Sequence, residues 1–201
     1  MIKFQFRDKE ISAPSQWEEV TVRHFINPHF LARDSIGLLS ALSGIDRTVL
    51  LNATEDIAET LNKIVSFVAL NPNGYMGDVP KEFELMGKKC KVPVDIELKR
   101  VGQKIMLQDA MGRHKFIYQA IPEAVAIYLA PEINDGVFDD KMIPEVAEHV
   151  LGLRIMDVFP VADFFLNNYR SITKSGELFL NPYQAPTASS QDTGKSLPET
   201  E

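Results

Sequence analysis

Three residues in the first fifth of the chain have side chains that often bind metal ions. His24 and His29 precede Asp34, and zinc accepts both imidazole and carboxylate ligands. On a helix, however, a separation of five residues turns two side chains about 140° apart. Pro28 also interrupts any helix that would carry both imidazoles. The spacing therefore argues against a metal site.

The other candidates for catalysis are isolated along the sequence. Cys90 is the single cysteine, and no histidine lies near it in sequence to activate a thiolate. His114 and His149 lack the neighbouring carboxylate pattern that marks a general base. Because the common nucleotide-binding, hydrolase and calcium-loop motifs are absent, no cofactor is predicted. An enzyme site would have to assemble from distant positions, namely His24, Asp34, Cys90, His114 and His149.

The composition is that of a globular, acidic protein. Of 201 residues, 45% are hydrophobic, and 21 Lys and Arg stand against 28 Asp and Glu, a net charge of −7. This sign argues against a nucleic acid as partner. Residues 1–12 alternate apolar and polar instead of forming a signal peptide, and no window approaches a membrane span. We therefore expect a cytoplasmic protein, and the single cysteine excludes an intramolecular disulfide.

The elements that must position any site are predicted from periodicity. The alternation of Ile2, Phe4 and Phe6 predicts a strand, and a turn follows at 12–15. Thr21 is predicted to cap a helix, with Val20 and Phe25 as its hydrophobic staple. Further helices are predicted at 34–43, 46–52 and 54–70.

The second half begins with a predicted β-hairpin near 82–98. Because Pro93 has no N–H to donate, its strand is predicted to be an edge strand or to contain a bulge. A helix is then predicted at 100–111, with a break at Gly112. The next helix, at 115–129, is predicted to be the buried central helix and to bend or restart at Pro122. A loop at 131–140 and helices at 141–151 and 154–171 complete the pattern. The fold class is therefore α+β, mainly α: one helical domain over 1–183, with a small antiparallel sheet made of the N-terminal strand and the hairpin. The polar composition of 184–201 predicts a disordered tail.

The last helix has a second apolar surface opposite its core stripe. Phe164 points about 180° away from the direction of Ile155, and Val161 lies toward the same flank. This surface either packs beneath another part of the chain, the alternative that the sequence favours, or binds a partner. Lysines gather on the hairpin and after it, either as a solvated edge or as a contact for an acidic partner. The residues proposed to bind a partner are Phe164, Val161, Trp17, Lys88, Lys89 and Lys91.

The order of these features resembles that of tail-assembly-chaperone-like proteins of bacteriophages. The similar segments, within about residues 2–170, are WEEVTV at 17–22, the small helix ending in LSG at 42–44, AIYLAP at 126–131 and VFPVADFF at 158–165. The resemblance implies a non-catalytic protein of the host cytoplasm that binds a tail tape-measure protein or other tail components. Independently of it, the second apolar surface of the last helix allows Phe164 to serve in self-association. The hairpin and the tail have no counterpart in it. They leave open a structural protein of the neck or tail that forms a ring in the virion.

Overall fold

The computed structural model describes residues 1–32, 34–53, 57–69, 77–93, 98 and 100–174. These residues form a mainly helical α+β fold with two small antiparallel sheets, which confirms the predicted fold class. The predicted boundary at 183, the tail at 184–201, Thr54 and Lys99 lie outside the described residues.

The first sheet is a hairpin of its own. Strand β1 (Ile2–Phe6) pairs with β2 (Lys9–Ala13), so that Ile2 lies opposite Ala13. The turn uses Arg7 and Asp8 in the left-handed region, with φ of 48° and 62°. The prediction that the N-terminal strand joins the later hairpin is wrong, and so is the turn predicted from residue 12, because Ser12 and Ala13 lie in β2. The chain reverses instead at Arg7-Asp8, which carries no glycine to signal a turn.

Five short helices follow the first hairpin: α1 (Val22–Phe25), α2 (Pro28–Ala32), α3 (Ser35–Ser43), α4 (Arg47–Leu51) and α5 (Ala58–Ala69). The predicted cap at Thr21 is confirmed, since the Thr21 hydroxyl accepts from the His24 amide. Asp34 and Asp46 cap α3 and α4 in the same way. Gly44 ends α3 at φ 74°, a left-handed conformation that glycine adopts without strain.

The second hairpin joins β3 (Glu82–Leu85) to β4 (Lys88–Lys91) through Met86 and Gly87. A hairpin is present within the predicted range, but the prediction that Pro93 lies in its second strand is wrong: β4 begins directly after Gly87 and ends at Lys91, and residues 94–97 lie outside the described part of the chain. Phe83 and Leu85 on β3 and Cys90 on β4 are buried, and β4 packs against the central helix.

The central helix is α7 (Ile121–Ile133), preceded by α6 (Val101–Arg113) and a 3₁₀ turn at Ile117–Ala120. All residues of α7 except Glu123 and Glu132 are buried, which confirms its predicted place in the core. Pro122 sits in the first turn, where it displaces no helical hydrogen bond. Two predictions are wrong: α6 continues through Gly112, and α7 continues through Pro131 into the predicted loop.

Helices α8 (Ile143–Gly152) and α9 (Ile155–Lys174) pack on α7, α9 on the helical turn at Trp17–Glu19, and both on α1. The Val22 amide donates to Leu153 O at 2.9 Å, and the Ile155 amide donates to Val20 O at 2.8 Å. This short antiparallel bridge ties the start of α1 to the start of α9.

Candidate partner-binding surfaces

The sequence predicts that Trp17 binds a partner, but the structure places it in the core. Only 3% of its surface is exposed. Its ring packs against Phe25, Phe30 and Phe67 at centroid distances of 6.5, 6.1 and 6.0 Å. These phenylalanines belong to α1, α2 and α5, so Trp17 joins three helices and offers almost no surface to a partner.

The predicted second surface of α9 is largely covered by the chain itself. Val161 is completely buried, and Phe164 is half-buried against the core with its ring 5.7 Å from that of Phe165. Helix α9 packs against α7, α1 and the turn at Trp17–Glu19. This placement corresponds to the intrachain alternative.

The three predicted hairpin lysines have different surroundings. The Lys88 ammonium donates to Ile133 O at 2.6 Å, at the carboxyl end of α7, where a positive charge is favoured. Lys89 and Lys91 are exposed and lie opposite Glu84 and Glu82 in the strand register. The outer face of the hairpin therefore alternates both signs of charge and is not a basic patch.

His24 and Asp34 are used by the fold at helix starts. The Thr21 amide donates to His24 Nδ1 at 3.1 Å and completes a capping box. Burial, and then the charge of Arg23, lower the pKa of His24, which favours the neutral ring. The Asp34 carboxylate accepts from the Gly37 amide at 2.8 Å and pairs with Arg47. The hydrogen bond from Gly37 is the main cause that lowers the pKa of Asp34.

The remaining candidates for catalysis are far apart. Cys90 is buried, and this burial, with the charge of Glu132, raises the pKa of its thiol away from a reactive thiolate. His114 Nε2 lies 2.8 Å from Glu123. Glu123 and Glu132 are nine residues apart on α7, about 13 Å along its axis. His149 is exposed on α8. The structure does not bring these residues together, and among the described residues no group of three possible ligands could hold a metal ion.

One concavity, of 550 Å³, lies between β2, α1, α3 and α4 and has mostly polar walls. Two of its cations are already paired: Arg23 with Glu148 and Arg47 with Asp34. Because these charges satisfy one another, the concavity offers a ligand little unbalanced charge.

A second concavity, which we call the carboxylate groove, lies between residues 77–84 and the start of α9. Its volume is 400 Å³, within the range of about 300–1,000 Å³ that is typical of ligand clefts. Four exposed carboxylates line it, those of Asp78, Glu82, Glu84 and Asp157. Of these, Asp157 is paired with Arg154 at 2.7 Å. Glu82 and Glu84 lie opposite Lys91 and Lys89 in the strand register but form no ion pair among the described residues.

Apolar residues line the same groove as the carboxylates. Phe83 is buried, whereas Leu153, Met156 and Pro160 are half-buried and keep part of their surface open. Sequence reasoning missed this groove because its two walls lie some 70 residues apart in the chain. The strict alternation of acidic and apolar residues in β3 was its only local signal.

A third feature, which we call the α6 surface, consists of large apolar side chains in contact with solvent. Val101 is 72% exposed, Ile105 54% and Val137 60%. The Arg100 guanidinium donates to Gly136 O, and a β-carbon at Gly102 would lie 3.2 Å from the Phe138 ring. These contacts hold residues 136–138 against the first turn of α6 and place Val137 at the same end of the helix as Val101.

Comparison with known proteins finds no matching family model, no matching curated protein and no matching solved structure. Within the described part of the chain, no helix has the length and apolar character needed to cross a membrane.

Proposed function

We propose that this protein acts without catalysis, by binding a segment of another protein in the carboxylate groove, as a tail-assembly chaperone in the cytoplasm of a phage-infected cell. The observation that carries the proposal is the combination of exposed carboxylates and open apolar side chains in one groove. Such a lining suits an amphipathic segment in which lysine or arginine residues stand beside leucine-like residues.

The chemistry of the groove defines the partner segment. Aliphatic stems of lysine and arginine pack on apolar surface while their charged ends reach out to carboxylates. Met156 offers an adaptable apolar contact, and Glu82 and Glu84 provide negative charge in the same groove. Because surface ion pairs contribute little affinity, burial of the apolar residues supplies most of the binding energy, and the carboxylates select the partner.

The resemblance in sequence points to a tail tape-measure protein as the partner. Long helical proteins of this kind expose apolar faces until they assemble, and such faces aggregate. A chaperone that covers one amphipathic segment at a time delays aggregation until the tail polymerises.

The experiment is co-expression with the tape-measure protein of the same phage. The groove variant carries Asp78→Lys and Glu84→Lys, and a matched control carries Glu18→Lys and Glu145→Lys, the same change of charge at exposed sites outside the groove. The wild-type chain and the control should keep the tape-measure protein soluble, whereas the groove variant should not.

Two outcomes would contradict the proposal. Equal solubility with a folded groove variant would remove the groove as the binding site. Recovery of this chain in stoichiometric amounts from purified virions would favour the structural alternative, a ring protein of the neck or tail, over a chaperone.

A further inference from the structure

A stripe of residues runs along one face of α6, in which Val101, Ile105 and Gly112 are exposed and Gln108 is half-buried. At 100° per residue, Val101, Ile105, Gln108 and Gly112 all lie within about 60° of one another. Among the large apolar residues in the described helices, Val101 is the most exposed, and Ile105 is about as exposed as Leu51 on α4. A β-carbon at Gly112 would meet no atom within 4 Å, so the carboxyl end of the stripe is open.

The opposite face of α6 is fixed against the core. Gln103, Leu107 and Ala110 are buried, and the Gln103 side chain donates to Ile127 O at 2.8 Å on α7. This buried hydrogen bond sets the rotation of α6 about its axis. The helix thus buries a glutamine and leaves a valine and an isoleucine in solvent, the reverse of the usual order.

The spacing of the stripe is that of a coiled coil. Val101, Ile105, Gln108 and Gly112 are separated by four, three and four residues, which corresponds to heptad positions d, a, d and a. In this register Lys104 occupies position g and Asp109 position e. Both are exposed, and neither forms an ion pair within the described residues.

These two charges specify one orientation of a partner helix. In a parallel two-stranded coiled coil, a g residue lies beside the e residue five positions further along the other helix. Lys104 and Asp109 are five positions apart, so two copies of α6 side by side in parallel form two complementary pairs. In an antiparallel arrangement g positions meet g positions and e positions meet e positions, so Lys104 would not lie beside Asp109 of the second copy.

We propose that α6 pairs in parallel with α6 of a second copy of this chain, about a two-fold axis along the helices. Val101 and Ile105 then meet their counterparts, and the absence of a side chain at Gly112 lets the backbones approach. The helix is only 13 residues long, and short interfaces of this kind belong to the weak, reversible class. This pairing uses a different surface from the carboxylate groove and stands independently of the proposed function.

The test measures the oligomeric state of the full chain by sedimentation velocity over a range of concentrations. The wild type should form a dimer as its concentration rises. Lys104→Glu or Asp109→Lys alone replaces both complementary pairs by like charges and should raise the dissociation constant about tenfold.

Mixing the two single variants in equal amounts should restore the pairing as a heterodimer. The glutamate introduced at position 104 of one chain then faces the lysine introduced at position 109 of the other. On the second flank, the unchanged Lys104 faces the unchanged Asp109. Both pairs are therefore complementary again, which a general loss of stability in either variant would not reproduce.

A second pair of variants tests the apolar contact. Ile105→Ser should weaken the dimer, whereas Val65→Ser, at an exposed site on α5, should not. Circular dichroism confirms that each variant is folded. A wild type that stays monomeric at every concentration would overturn the proposal, and so would single charge variants that dimerise as well as the wild type.

Discussion

Replacing Trp17 by alanine tests whether this residue stabilises the core or binds a partner. The side chain is 3% exposed and contacts rings from three helices, two of them nearly edge-on at 78° and 83°. Truncation of a buried tryptophan costs about 3–5 kcal/mol, which includes about 0.5–1.5 kcal/mol for each aromatic pair. A domain of ordinary stability, about 5–15 kcal/mol, would lose about a fifth of it or more. For a chain of this size, the melting temperature should fall by about 6–20 °C.

The assay is urea unfolding followed by far-ultraviolet circular dichroism, because Trp17 is the only tryptophan and its fluorescence is lost in the variant. Trp17→Phe keeps an aromatic ring in the cluster and should lose less stability. Leu51→Ala, at a residue 55% exposed, is the matched control and should change the free energy by less than about 0.5 kcal/mol. If Trp17→Ala were as stable as the control but failed to bind the partner, Trp17 would be a contact residue and the placement in the core would be refuted.

Three further predictions concern single side chains. The Tyr128 hydroxyl is buried without a hydrogen-bond partner in the described structure, so Tyr128→Phe should raise the free energy of unfolding by about 1 kcal/mol. Because burial raises the pKa of Tyr128, the wild type should also lose stability above pH 10, and a pH series of urea titrations should show less of that loss in the variant. Burial lowers the pKa of His24, so the contribution of its neutral ring to stability is present above about pH 6.5 and is lost as the pH falls. His24→Gln keeps a capping-box acceptor that does not titrate. The free energy of unfolding of this variant should therefore change less between pH 7 and 4 than that of the wild type. Gly44→Ala places a β-carbon on a residue with φ 74° and should lower the free energy of unfolding by about 1 kcal/mol, which a fall in melting temperature would show. Gly44→Asn should lower it by less.

The sequence predicts those elements whose ends carry a chemical signal. The side chains of Thr21, Asp34 and Asp46 cap the starts of helices, and Gly44 adopts the left-handed conformation that ends α3. Each signal is local, because the residue satisfies backbone groups only a few positions away. The buried central helix is equally predictable, since it has almost no polar face.

The wrong predictions concern segments whose structure depends on contacts with residues distant in sequence, or whose local residue types fit more than one structure. Strand β2 has no local signal at its start, because the turn before it, at Arg7 and Asp8, uses residues that seldom adopt positive φ. Pro131 indicates a helix end by its residue type, but α7 continues past it, and the Ile127 carbonyl, four residues before the proline, accepts from Gln103 instead. The outward direction of Val101 depends on Gln103 reaching α7, which no periodicity in α6 reveals.

The same limit applies to the candidate surfaces. Phe164 and Val161 have the spacing of an exposed face, but whether α9 is covered depends on how α1 and α7 pack around it. The carboxylate groove is formed only when residues 77–84 approach the start of α9. Surfaces between distant segments follow from tertiary packing, which a pattern within one element does not contain.

The bridge between residues 20–22 and 153–155 has a consequence for synthesis on the ribosome. Val20 and Val22 emerge early, but the backbone groups that pair with them belong to Leu153 and Ile155. At about 5–20 residues per second, the first segment waits roughly 7 to 27 seconds for the second. Val20 and Val22 are completely buried in the finished protein. During that time their backbone groups lack the hydrogen-bond partners that Ile155 and Leu153 later provide. The nascent chain is therefore exposed to aggregation until its last long helix begins to emerge.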